Sequence, residues 1–103
     1  MKVQLNTDRN IEGNENLEFF VNEKIESKLG RFKNDITRVE VHLSDQNGEK
    51  FGKDDTHCRI EVRLINHNPV TVLEKSKNLN SSINGAVDKM KNLLDTHFDK
   101  LKN

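Results

Sequence analysis

The sequence predicts an α+β fold in the order β-α-β-β-β-α: a four-stranded, mainly antiparallel sheet with two helices packed on one face. Three observations carry this prediction. Four segments alternate apolar and polar residues with the period of two expected of a half-buried strand. Two longer segments repeat apolar residues at three- and four-residue steps, which marks amphipathic helices. Each helix has a single apolar stripe to cover, so the economical packing lays both on the same side of the sheet and leaves the other side polar.

The first strand runs from Lys2 to Thr7, with Val3 and Leu5 facing one way and Lys2, Gln4 and Asn6 the other. After a polar turn, Asn14 is placed to cap a helix whose stripe is Leu17, Phe20, Val21, Ile25, Leu29 and Phe32, spanning about Glu15 to Gly30 or slightly beyond. Ile36 to Ser44 alternates again, Val39, Val41 and Leu43 against Arg38, Glu40 and His42. The stretch from Asp45 to Asp55, with Asn47-Gly48 and Gly52 among charged residues, is turn chemistry and predicts a long solvated loop. Thr56 to Ile65 resumes the alternation, with Cys58, Ile60, Val62 and Leu64 inward and His57, Arg59, Glu61 and Arg63 outward. Asn66 to Pro69 turns the chain into a fourth strand, Val70 to Leu73, with the proline at the strand mouth where a missing N–H does least harm. From Asn78 onward Leu79, Ile83, Val87, Met90, Leu94, Phe98 and Leu101 form the stripe of one long helix.

The length of 103 residues allows one hydrophobic core, so a single domain over 1–103 is expected. Seventeen basic and seventeen acidic residues give a net charge of zero, which argues against a protein that coats DNA or membranes by bulk charge. No stretch approaches the ~18 apolar residues of a membrane span and the N-terminus lacks the apolar core of a signal peptide, so a cytoplasmic location is expected. The single cysteine, Cys58, falls in an alternating apolar pattern and reads as a buried strand residue in a reducing compartment rather than as a reactive thiol.

Three groups of residues could carry chemistry. Lys24, Lys28 and Arg31 recur at four- and three-residue steps on one flank of the first helix; on the second, Lys89 and Lys100 share a face, as do Lys91 and Lys102. Such cations suit phosphate contacts. By pattern alone, a solvated helix surface accounts for them better. The open sheet face, with Arg38, Glu40, His42, His57, Arg59, Glu61 and Arg63, is expected to pair opposite charges across strands. It lacks the aromatic platform on which an RNA-recognition sheet stacks bases, since all five aromatics are phenylalanines in or beside the helices or in the loop. His42, His57 and Cys58 with Asp45, Asp54 and Asp55 are the remaining group, but neighbours in a strand point to opposite faces, so His57 and Cys58 cannot share one ion without a bulge. With no nucleophile or phosphate-binding glycine loop beside them, neither a metal site nor an enzyme is expected, and no cofactor or small-molecule substrate.

The helix segments add a resemblance. Val21-Asn22-Glu23-Lys24-Ile25-Glu26-Ser27-Lys28-Leu29-Gly30-Arg31-Phe32 is similar to a helix ending in Lys-Leu-x-Arg-aromatic, with one extra residue, and Ser82-Ile83-Asn84-Gly85-Ala86-Val87-Asp88-Lys89-Met90-Lys91-Asn92-Leu93-Leu94 to an Ala-Ile-Asp-x-x-x-Asp-Lys-Leu-x-Arg-Gln-Leu segment, both from the ribosome hibernation-promoting factors, also called RaiA or sigma-54 modulation proteins. The resemblance covers the whole chain and implies a dsRBD-like arrangement of the elements. It also implies a translation regulator of the stress response that lodges in the mRNA and tRNA channel of the small ribosomal subunit, with rRNA phosphates bound by Lys24, Lys28, Arg31 and Lys89, then Lys100. A short form without the dimerisation domain of the long forms is expected. The chain departs from the family at Asn78-Leu79-Asn80, where Asp-Met-Tyr is usual, and at Asn92 and Thr96, where Arg and Lys are usual; Lys91 and Lys102 are candidates to compensate. The alternative is a non-ribosomal protein-interaction module of the same fold.

Overall fold

The alternation at the start of the chain forms β1 (Lys2–Thr7), and the polypeptide then crosses the sheet through α1 (Glu15–Leu29) and a 3-10 turn (Gly30–Phe32) to β2 (Ile36–Asp45). The computed structural model describes residues 1–46 and 55–102, and continues with β3 (Thr56–Leu64), β4 (Val70–Ser76) and α2 (Leu79–Lys102). Most of the expected Asp45 to Asp55 loop, residues 47–54, lies outside the described residues, as do the side chains of Leu101 and Lys102. The strands lie in sequence order, with β1 parallel to β2 and the other two pairs antiparallel. The helical crossover is what makes the first pair parallel; β3 and β4 follow by direct reversals and are antiparallel. The predicted α+β order and the mainly antiparallel sheet are therefore the observed ones.

Both helices sit on one face. Val21, Ile25 and Leu29 from α1 and Ile83, Ala86, Val87, Met90 and Leu94 from α2 are buried against Val39, Val41, Leu43, Cys58, Ile60, Val62 and Leu64 of the sheet. At the start of α1, Asn14 Oδ1 accepts from the amide of Leu17 at 2.9 Å, and Glu15 and Glu18 occupy the first turn, where the helix dipole favours negative charge. Asn78 does the same for α2, its side chain accepting from the Ser81 amide at 2.8 Å. The 3-10 turn after α1 carries Phe32 into the core, where its ring stacks on Phe98 of α2 with centroids 5.3 Å apart.

Asn66 makes the turn between β3 and β4 with φ of 62°, a left-handed conformation that asparagine tolerates better than most residues. Beyond that turn β4 runs to Ser76, three residues past the expected end at Leu73. Charge at Glu74 and Lys75 reads as a strand end, yet in the sheet Glu74 pairs in register with Cys58 on the helix side, and Lys75 with His57 on the open side. The Glu74 carboxylate meets Lys89 of α2 at 3.0 Å, so its charge is matched at the rim of the core. Gly85 makes room for it: a Cβ there would overlap the Glu74 side chain. Among the described residues no helix is long and apolar enough to cross a membrane.

Candidate nucleic-acid interface

Because Val21, Ile25 and Leu29 turn one side of α1 into the core, the lysines between them emerge on its flank. Arg31 shows which flank this is. Its Nη1 lies 2.9 Å from Asp95 Oδ1 on α2, so Lys24, Lys28 and Arg31 border the groove between the two helices. Lys91 approaches the other Asp95 oxygen at 2.8 Å, one helical turn away on α2, and completes an Arg31–Asp95–Lys91 bridge across the groove. The hydrogen bond from Lys91 holds the Asp95 carboxyl below its ordinary value of 3.8; the charges of Lys91 and Arg31 add to this, and partial desolvation opposes it. Hydrophobic rings support the cations from beneath, with the Arg31 guanidinium 4.8 Å from the Phe32 centroid and the Lys24 ammonium 5.7 Å from that of Phe20.

Lys89 and Lys100 lie elsewhere. Two residues from Lys91 is more than half a turn, and Lys89 accordingly reaches the opposite side of α2, where Nζ pairs with Glu74 and donates to the Leu73 carbonyl oxygen at 2.9 Å. Lys100, eleven residues on, returns to that side beside Asn92, Leu93, Thr96 and His97. The six lysines and arginines singled out by their spacing thus form two groups: Lys24, Lys28, Arg31 and Lys91 line the interhelical groove, and Lys89 and Lys100 the far flank of α2. Among the described residues Lys24, Lys28 and Lys100 make no ion pair, whereas Arg31, Lys89 and Lys91 are already engaged.

A family model described as sigma 54 modulation protein / S30EA ribosomal protein matches residues 6–102 of this chain. The chain belongs to that family. The S30EA family is ribosome-associated and non-enzymatic, in keeping with the resemblance drawn from the helix segments. No match is found among curated proteins. Among solved structures, the S30EA chain is similar to the N-terminal domain of Protein Y from Thermus thermophilus, at 25% identity and a TM-score of 0.75, over 94% of this chain and 99% of that one. It shares its fold with a ribosomal subunit interface protein from Coxiella burnetii, at 15% identity and a TM-score of 0.71, over 96% and 99% of the two chains.

The sheet face of the S30EA chain that points away from the helices was expected to be a mosaic of cross-strand pairs. Part of it is. Arg63 bridges Glu40 and Glu61, each at 3.3 Å, and Arg38 bonds Gln4 and lies 3.4 Å from Glu40. The register, however, sets Glu40 opposite Glu61 and Arg38 opposite Arg63, while Arg59 faces His42 on one side and Leu73 on the other, and His57 faces Lys75. Like charges are adjacent along these rows, and Arg59, Lys75 and Lys2 make no ion pair among the described residues. Strand alternation shows which residues reach this face but not which meet across it, so the unpaired cations were invisible in the sequence. Cys58 lies on the opposite side, fully buried, with burial and then the Glu74 carboxylate pushing its thiol up to about 12. Among the described residues no cluster of three or more His, Cys, Asp or Glu side chains could hold a metal ion.

Proposed function

We propose that this S30EA-family chain binds the small ribosomal subunit in the cytoplasm, blocking the mRNA and tRNA channel and thereby inhibiting translation or stabilising idle ribosomes. Membership of a ribosome-associated family carries the reading. The helix face supplies the means: Lys24 and Lys28 stand free at the groove, Arg31 and Lys91 share one carboxylate there, and Lys89 and Lys100 add a second line of charge. Their work is electrostatic, on rRNA phosphates, with no bond made or broken.

A second reading has one observation in its favour. Phe19 is 65% exposed on the outer side of α1, and Glu15, Glu23 and Glu26 follow on that same side, a surface that repels phosphate and suits a protein partner. Co-sedimentation with small subunits at low and moderate salt separates the two. Four phosphate contacts should cost about 50-fold in affinity over a fourfold rise in salt, and the Lys24→Ala, Lys28→Ala, Arg31→Ala, Lys89→Ala variant should no longer pellet. If the wild type itself stays in the supernatant at low salt, the protein-partner reading replaces the ribosomal one.

A further inference from the structure

The open face of the sheet collects five cations, Lys2, Arg38, Arg59, Arg63 and Lys75, against two carboxylates, Glu40 and Glu61, in a chain whose net charge is zero. The register confines both carboxylates to one row, where Arg38 and Arg63 occupy them. Past that row stand His42, Arg59 and Leu73, and then His57 and Lys75, with no acidic side chain in register among them. At the neighbouring end of β1, the Asp8 carboxylate has its oxygens taken by the backbone amides of Asn10 and Asp45, at 3.0 Å each. Neighbouring strands lie about 4.8 Å apart and alternate residues about 7 Å apart along a strand, so these donors tile a strip three strands wide.

We propose that this end of the sheet is a second RNA-backbone site, with Arg59 and Lys75 on phosphates, His42 and His57 donating ring N–H groups beside them, and the protein gripping RNA on both sides of its sheet. The choice of RNA over another polyanion follows from the surface. A flat, open strip of unpaired cations suits a phosphodiester chain, and Leu73, 43% exposed between them, offers an apolar contact for a sugar. Among the described residues no phenylalanine lies on this face, so backbone charge and shape, and not a phenyl stacking platform, carry the binding. The proposal goes beyond the helix-face reading and rests on it only in taking the RNA to be ribosomal.

The test measures binding of the full chain to a fluorescein-labelled RNA hairpin and, in parallel, to small subunits, across a salt series. Arg59→Ala/Lys75→Ala is compared with Lys24→Ala/Lys28→Ala. The sheet variant should lower the salt slope on the hairpin by roughly one unit per lost contact, and an unchanged slope and affinity would overturn the site. A wild type that binds the hairpin through Arg59 and Lys75 but never pellets with subunits keeps the sheet site and sinks the ribosomal reading. Pelleting that the sheet variant retains in full, with its hairpin binding also intact, does the reverse. Placing the photo-cross-linker p-benzoylphenylalanine at position 73 should give adducts with RNA; adducts with protein alone would assign the surface to a protein partner instead.

Discussion

Cys58 lies on the inner strand β3, facing the helices, and its thiol is held up to about 12 against an ordinary value of 9.0, first by burial and then by the Glu74 carboxylate. A raised value means that the folded state keeps a proton which the unfolded chain releases. Stability is therefore fully present below pH 9 and falls between pH 9 and 12, by about 1.4 kcal/mol for each pH unit. Urea midpoints at pH 7, 9 and 10.5 check this. Wild type should lose more stability with rising pH than Cys58→Ala does, and parallel profiles would mean that the thiol ionises in place. Glu74 also ties this residue to its neighbours, since the carboxylate that disfavours the thiolate is the one that Lys89 anchors and that Gly85 leaves room for.

At the scale of elements, Asp95 joins the end of α1 to α2 while masking two cations of the groove. Asp95→Asn should raise the groove by one positive charge and let small-subunit binding persist to higher salt than in the wild type, read by the same sedimentation assay. Equal or poorer salt tolerance would mean that the bridge positions Arg31 and Lys91 more than it hides them. The depressed Asp95 carboxyl stabilises the fold at pH values above 3.8, and that contribution is lost as pH falls further, through its native value. The helices themselves were legible because Val21, Ile25 and Leu29, or Ile83, Met90 and Leu94, can face a core only at helical spacing. The extra length of β4 was not: Glu74 is tolerated there only through Lys89 and Gly85, eleven or more residues away. For the same reason the lysines could be named but not grouped. Whether Lys89 and Lys91 serve one surface depends on where β4 and α1 lie beside α2, which no periodicity encodes.

Across the whole molecule, a net charge of zero conceals separate faces. The outer side of α1 carries Glu15, Glu23 and Glu26, the groove is cationic, and the open sheet face is cationic at the end beyond Glu40 and Glu61. A protein of this kind orients in the field of a polyanion without being drawn indiscriminately to every one. The topology has a further consequence, for the order in which the fold comes apart. β1 and β4 are the two edge strands and neither has a fully buried side chain, but β4 follows β3 by a direct reversal whereas β1 is joined to β2 only after the chain has travelled through all of α1. The detachment of β1 exposes little apolar surface and releases a long loop, so it opens at a smaller cost in free energy than the inner strands. Amide hydrogen exchange should find the β1 amides that bond to β2 exchanging well before those at the centre of β3. Equal protection in the two strands would mean that the sheet opens as one, with the parallel seam as firm as the antiparallel ones.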